Sequence, residues 1–368
     1  MDPLELWTYR HAMPGRFERQ AQRAQAEGWD GISLGESQNL TVDPFVELGI
    51  AARFTDRLLL GTGVAACATR HPATTATAIA TVQHESGGRA VLGIGTGASA
   101  VAHLGMRPMP VAAFERYLGR LAGYLKGEDV PFEVDPKLSS AAMGLAAGPR
   151  ASRLHWLDPA VPKVPLEVCA TGPRTIAVGA CLGDRLTFAT GASGQRLKWA
   201  VDTAKAARTA AGLDPESLPF GASFPVFVHP DRASARRLIA GTVASFAHLA
   251  TMLGTVAGPV SDDHRRVLGE LRDSYDMERH LHAGSPQAGV LTDEVIDEFA
   301  VAGPVDYCVE RFTELCELGV SKFVFFGEGA DIDTGELRAS RARIAEELLP
   351  ALRQRSGSAG STVRQGWT

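Results

Sequence analysis

Long hydrophobic runs are missing from this 368-residue sequence: no stretch of about 18 apolar residues occurs, which excludes a membrane-spanning helix. Cysteine is scarce. Its five copies (Cys67, Cys169, Cys181, Cys308 and Cys316) are odd in number and lack CxxC or His/Cys ligand spacing, so neither a disulfide framework nor a metal site is indicated. Reduced thiols in a cytoplasmic protein are the expectation. Charge of one sign is not in excess either. The 37 Lys and Arg face 42 Asp and Glu, a net charge of -5, and no basic field exists to hold a nucleic-acid backbone. The opening Met1-Asp2-Pro3-Leu4-Glu5 has no basic stretch followed by an apolar one, so no signal peptide is expected. What is present is a 45% hydrophobic, 21% charged chain, the profile of a globular protein with a large core, and the expected partner is a small-molecule substrate.

Length permits one large α/β domain or two smaller ones, and the pattern decides between them. Short apolar runs rich in β-branched or aromatic residues alternate with longer helical patterns, the mark of a parallel sheet with crossover helices. Strands are expected at Leu4 to Tyr9, Gly31 to Leu34, Leu58 to Val64, Ala90 to Ile94, Leu166 to Ala170, Arg185 to Ala189, Phe224 to Val228 and Lys322 to Phe326. Helices are expected at Arg16 to Glu27, Pro44 to Arg53, Pro72 to His84, Val111 to Lys126, Thr175 to Leu182, Leu197 to Ala211, Arg232 to Met252 and Val305 to Leu318. About eight such pairs make an α/β protein with a (β/α)8 TIM barrel. Glycines at Glu27-Gly28, Gly87-Gly88, Gly183-Asp184 and Leu318-Gly319 fit helix C-termini that need positive φ.

Two stretches break the rhythm, Gly127 to Lys163 and Thr255 to Gly303, the latter with helical patches around Asp262 to Asp276 and Thr292 to Phe299. Both are expected as insertions on the C-terminal face, closing over the active site. Residues 1–354 read as one barrel domain, and the Ser, Gly and Thr-rich residues 355–368 as a flexible tail.

The most informative stretch runs from Leu58 to Gly105. It contains one strand ending in Gly61-Thr62-Gly63-Val64 and another ending in Gly93-Ile94-Gly95-Thr96-Gly97. Glycines at strand ends let a flat ligand or a phosphate reach the backbone, because no Cβ intervenes. Gly95, Gly97 and Ser99 at a helix start also make an anion cradle of backbone N–H groups. The same glycines would equally serve to turn the chain, and a GxGxG pattern alone does not separate the two readings.

Taken with Gly28-Trp29-Asp30, Glu36-Ser37-Gln38, Asp43-Pro44, Thr69-Arg70-His71-Pro72, Ser86-Gly87-Gly88-Arg89, His103-Leu104-Gly105, Ala170-Thr171-Gly172-Pro173-Arg174, Gly303-Pro304 and Leu318-Gly319-Val320, the stretch carries a resemblance over nearly the whole chain. The sequence resembles the bacterial luciferase-like flavin and deazaflavin oxidoreductases, in particular the branch around F420-dependent methylenetetrahydromethanopterin reductase. The resemblance implies a barrel whose C-terminal face binds an isoalloxazine-type ring. It places a non-prolyl cis peptide at Gly63-Val64, with Ala65 following, as a bulge behind that ring. Glu36, Thr96, Gly97, Ala98 and Ser99 would line the ring and its side chain. Thr171, Gly172, Pro173 and Arg174 would take the cofactor phosphate. A Thr-Gly-Pro turn feeding a helix leaves N–H donors open, and Arg174 adds a planar charged fork. Arg174 is also compatible with an ordinary solvated position in a first helical turn.

Departures from the family pattern bear on the chemistry. Where relatives carry an acidic residue after the Gly-Thr-Gly this chain has Ala98, and where the sugar-phosphate dehydrogenases carry His it has Ser37, which argues against glucose-phosphate oxidation. Catalytic candidates at the barrel mouth are His11 and Glu36, since a histidine titrates near neutrality and suits acid–base work. Tyr9, His11 and Cys67 are candidate substrate contacts, with core packing as the alternative for Tyr9 and a small apolar filler as the alternative for Cys67. His71 reads as a helix cap, and His280 and His282, at i, i+2, would not share a helical face as metal ligands should.

The reading is an oxidoreductase using the deazaflavin F420, transferring a hydride between the ring's C5 and a small organic substrate. The alternatives are an FMN-dependent monooxygenase on the same barrel and a non-catalytic cofactor-binding barrel. A homodimer is expected, with Ile79, Ala80 and Val82 suited to a helix-packed interface or to packing on the barrel.

Overall fold

Period-two alternation in the short apolar runs becomes the inside and the outside of a closed ring of strands. The computed structural model describes residues 3–133, 139–252, 254–327 and 329–357. In chain order the strands are β1 (Glu5–Arg10), β2 (Gly31–Leu34), β3 (Leu59–Thr62), β4 (Ala65–Ala66), β5 (Ala90–Gly95), β6 (Leu166–Ala170), β7 (Arg185–Phe188), β8 (Phe220–Val228), β9 (Val301–Gly303) and β10 (Val320–Phe326). The pairings among them are parallel, and β10 bonds to both β1 and β8, closing β1-β2-β3-β5-β6-β7-β8-β10 into a TIM barrel. β4 continues the line of β3 past a break and pairs with β5, while β9 pairs with the last residues of β8.

Outward side chains such as Leu6, Ile32, Leu60, Leu92, Val168, Leu186 and Phe323 are fully buried between barrel and helices, forming the main core. Inward, Trp7 fills the barrel floor. Its space is created by glycine: a Cβ on Gly31 would lie 2.4 Å from the indole, and one on Gly61 2.8 Å. The indole therefore packs against two strands that offer bare backbone.

The helices follow the expected spans closely, because their caps are local. Asp43 accepts from the N–H groups of Phe45 and Val46 ahead of Pro44, opening the helix Pro44–Phe54. His71 accepts from Ala73 N and caps the helix Pro72–Glu85, as its place before Pro72 suggested. Of the four punctuating glycine sites, Gly183 departs from the expectation. Its φ is −85°, and glycine is needed there for room, since a Cβ would fall 2.9 Å from the carbonyl oxygens of Gly179 and Arg185.

Four expectations are corrected. β8 begins at Phe220 rather than Phe224, because pairing with β7 and β10 overrides the turn-like look of Pro219-Phe220-Gly221. In its described residues, 127–133 and 139–163, the segment Gly127 to Lys163 does not close over the strand C-termini. It lies between a helix and the next strand, so it packs at the opposite end, where Gln83 Nε2 donates to Pro162 O and His84 faces Trp156. The tail expected from Arg355 starts inside the helix Leu349–Gly357, and the rest of it lies outside the described residues. Ile79, Ala80 and Val82 are at most 2% exposed within the single chain, so they pack on the barrel and are not an interface. Among the described residues no helix is long and apolar enough to cross a membrane.

Candidate active site

β3 ends in Gly61-Thr62, and just beyond it the Gly63–Val64 peptide is cis. The surrounding backbone fixes this bulge from β2: Gly63 N donates to Leu34 O at 2.6 Å and Glu36 N donates to Val64 O at 3.1 Å. The Glu36 carboxylate completes the clamp. Its Oε2 accepts from Ala66 N at 2.8 Å, and its Oε1 accepts from Arg70 Nε at 2.8 Å and Gln38 Nε2 at 3.0 Å. Arg70 also pairs with Asp43 and lies over the Phe45 ring. Both oxygens of Glu36 are thus engaged in holding β2, β4 and the following loop together, the work of a positioning residue.

Beside the bulge, β5 ends in Gly95, and Gly97 adopts φ 81° before the short helix Ala98–Ala102. Together with Thr96 and Ala100 these residues form a wall with little side chain. Thr171 stands at the end of β6. Gly172 begins the helix Pro173–Leu182 with no side-chain cap, and Arg174 is exposed in its first turn. These elements surround one cavity of about 590 Å³ that opens at the strand C-termini and reaches down into the barrel.

The cavity floor is polar, and its charges are paired. Glu167 pairs with Lys322 and accepts from Thr187 Oγ1 at 2.8 Å, while Arg185 bonds Glu5 at 2.7 Å. The Lys322 ammonium sits 3.6 Å from the centre of a Trp7 ring, a cation–π contact. Burial acts to raise the Glu167 pKa, but the neighbouring Lys322 and Arg185 outweigh it and hold the carboxylate below its ordinary range. Cys169, one pleat above Glu167, also lines the cavity, and burial pushes its thiol well up.

The roof comes from the helix Arg232–Thr251 and the segment after it, through Phe246, Leu249, Met277, His280 and His282. Tyr9 stacks on Phe326 at 4.1 Å and meets His11 edge-on at 5.1 Å, so both face the cavity. Burial, together with His103, His248 and His11 nearby, pushes His280 down to about 4.

Of the residues expected to form the site, Tyr9, His11, Glu36, Gly63, Val64, Thr96, Gly97 and Thr171 line this cavity, while Gly172, Pro173 and Arg174, at the start of the next helix, are not on its wall. Ala65 and Cys67 do not line it. They sit in the outer core, 0% and 1% exposed, because the chain after the bulge resumes strand alternation with these two pointing away. The Cys67 Sγ lies 3.6 Å from Met109 Sδ, and burial pushes its thiol up to about 12, which removes a nucleophilic role. The backbones of Ala98 and Ser99 belong to the short helix, and their side chains lie outside the described residues.

Sequence reasoning missed the floor and the roof. A signal for the floor existed: Glu167 in LEVCA and Lys322 in VSKFVFF are charged residues at inward positions of otherwise apolar strands. His280 and His282 were weighed only as helical neighbours, yet they lie on irregular chain and turn toward the same cavity.

A family model described as luciferase-like monooxygenase matches residues 3–322. The 5,10-methylenetetrahydromethanopterin reductase of Methanolobus tindarius is 26% identical over 307 residues, covering 83% of this chain and 87% of the relative. The F420-dependent glucose-6-phosphate dehydrogenase of Beutenbergia cavernae is 30% identical over 322 residues, covering 84% and 82%. The structure of the coenzyme F420-dependent tetrahydromethanopterin reductase from Methanopyrus kandleri superposes with a TM-score of 0.69 at 20% identity, covering 95% of this chain and 99% of that one.

Proposed function

Because the chain belongs to the luciferase-like monooxygenase family and is an oxidoreductase, we propose that it uses the deazaflavin F420 to move a hydride to or from a small organic substrate. The observation that carries this reading is the cavity at the strand C-termini, walled by the Gly63–Val64 bulge and the side-chain-poor run Gly95-Thr96-Gly97. A flat tricyclic ring fits such a wall. The fit has a polar component as well: the Ser33 hydroxyl, 3% exposed beneath the bulge, has no hydrogen-bond partner among the described residues and faces the cavity.

In this reading Gly63, Val64, Thr96 and Gly97 hold the ring, and Thr171, the open N-terminus after Gly172 and the Arg174 guanidinium hold its phosphate. Glu36 keeps the bulge in place through Ala66 and Arg70. The bound cofactor supplies the two-electron chemistry, and the protein orients it and covers one face. Ala98 and Ser37 stand where sugar-phosphate oxidation needs other groups, so the substrate is of another kind. A homodimer belongs to the same proposal, supported by the exposed Val46, Ile50 and Phe54, spaced i, i+4, i+8 along the helix Pro44–Phe54.

Fluorescence titration of the purified protein with F420 and with FMN tests the assignment. Saturable quenching by F420 with weak FMN binding is expected, and Arg174→Ala should weaken F420 about tenfold. Tight FMN binding without F420 binding reverses the choice in favour of a flavin monooxygenase. Binding of F420 without turnover of any carbonyl or alcohol tried would favour a non-catalytic barrel.

A further inference from the structure

We propose that His280, hydrogen-bonded through Nδ1 to Tyr275, is the hydrogen-bond donor that receives the substrate's reacting oxygen, and that the substrate is an uncharged carbonyl compound or the corresponding alcohol. The inference rests on the deazaflavin reading for the identity of the hydride carrier.

The geometry begins with Tyr275. Its hydroxyl lies 2.7 Å from His280 Nδ1, and the His248 ring stacks on its face at 3.9 Å. With the Tyr275 phenol as donor in this bond, Nδ1 accepts and the ring proton is left on Nε2, where it can meet a substrate oxygen. That nitrogen has no other partner among the described residues, and the ring lines the cavity. A neutral imidazole with a fixed Nε2–H is suited to polarising a carbonyl without giving up its proton.

The segment bearing His280 is held from two sides. Gly241, in the middle of the helix Arg232–Thr251, lets the backbone of 281–283 approach so closely that a Cβ there would lie 2.5 Å from Leu281 O, His282 C and Ala283 N. On the other side Asp331 accepts from Ala283 N at 2.7 Å and Gly284 N at 3.0 Å. Leu281, at φ 66°, turns the chain between His280 and His282. Such a clamp fixes a donor in space, which is what orientation of a substrate requires.

The cavity's charge supports the substrate class. Among the described residues the one Lys or Arg side chain on its wall is Lys322, and that ammonium is occupied by Glu167 and Trp7. Glu36, Glu167 and Glu278 put carboxylates on the same wall. A phosphorylated or carboxylated substrate finds no counter-ion there. Phe246, Leu249 and Met277 offer apolar contact to a neutral body. On reduction the carbonyl carbon accepts the hydride and its two electrons, the C=O π pair moves to the oxygen held by His280, and that oxygen takes a proton from solvent water. Oxidation of the alcohol is the reverse.

The first test needs no cofactor. In the protein labelled with 15N-histidine, long-range 1H–15N spectra should show His280 with a protonated Nε2 and a bare Nδ1, unchanged between about pH 5 and 8. His280→Gln assigns the signal, and Tyr275→Phe should release the tautomer preference. A protonated Nδ1, or titration near the ordinary histidine value, overturns the proposal. The second test uses cyclohexanol with F420, cyclohexanone with reduced F420, and glucose 6-phosphate with F420. Turnover of the neutral pair is expected, with His280→Phe lowering kcat about 100-fold and leaving F420 binding unchanged. Turnover of glucose 6-phosphate alone, or of neither class while F420 binds, overturns the inference and leaves the cofactor reading standing. Failure to bind F420 defeats that reading instead, and the spectra still decide the tautomer.

Discussion

The floor and the roof of the same cavity are built on opposite terms. The floor rests on strands, and its charges cancel: Glu167 with Lys322 and Glu5 with Arg185, each pair reaching between strands that are not ladder neighbours. The roof is carried by the helix Arg232–Thr251 and the irregular chain after it, and among its described residues it presents rings and apolar side chains with no Lys or Arg. A paired buried network contributes to uniqueness and rigidity, whereas hydrogen-bonding rings that face a protected cavity are what a ligand can use. The difference teaches where to look for chemistry in this molecule. It lies at the top, and the charged residues that first draw the eye belong to the scaffold.

The largest effect should come from splitting the floor pair. Lys322→Met leaves Glu167 buried without its partner and should cost about 3–5 kcal/mol by urea denaturation. The double change Glu167→Leu with Lys322→Met should regain most of that loss. A single variant as stable as the parent would mean that the floor is wet and the contrast with the roof false.

Next comes the roof's clamp. Gly241→Ala sets a methyl against three backbone atoms and should cost about 1–3 kcal/mol. Hydrogen exchange should rise in residues 275–284 and stay unchanged in the strands. A uniform rise across the barrel would show that roof and floor unfold as one unit.

The smallest effect is acidic. His280 is pushed down to about 4 by burial and by His103, His248 and His11, from an ordinary value of 6.5, and burial lowers His248 as well. Around His280 also stand Tyr275, Glu278, His282 and Asp331. Since the unfolded chain takes up the proton first, stability is intact above about pH 6.5 and falls as the pH drops toward 4. The Tm of His280→Gln should decline less over that window than the parent's, and equal slopes would remove His280 from the acid response.

Most of the barrel was legible in the sequence because its determinants are local. Asp43 before Pro44 and His71 before Pro72 announce helix starts by their own hydrogen-bonding chemistry. The runs Gly31 to Leu34 and Leu166 to Ala170 announce strands by composition, and both appear with those bounds. A smaller part of the cavity could be read in the same way, since Gly63, Thr96, Gly97 and Thr171 lie at strand ends. The segment Gly127 to Lys163 was misplaced for want of one consideration: a connection that follows a helix returns to the strand N-termini. Cys67 misled because one break in a strand decides which of two alternating faces a residue takes, and the break's exact length is set by Glu36 and Ala66 across the sheet.

By itself the sequence determined the order of elements, the glycines that admit Trp7, and the glycine-rich strand ends, since each depends on neighbours in the chain or on the steric size of a single residue. Only the tertiary structure decided that Glu167 meets Lys322 across 155 positions and that Tyr275 and His248 converge on His280. Those contacts depend on how far the ring of strands turns before it closes and on how the chain after the helix Arg232–Thr251 folds back over it. These are long-range geometric facts, and no local preference encodes them.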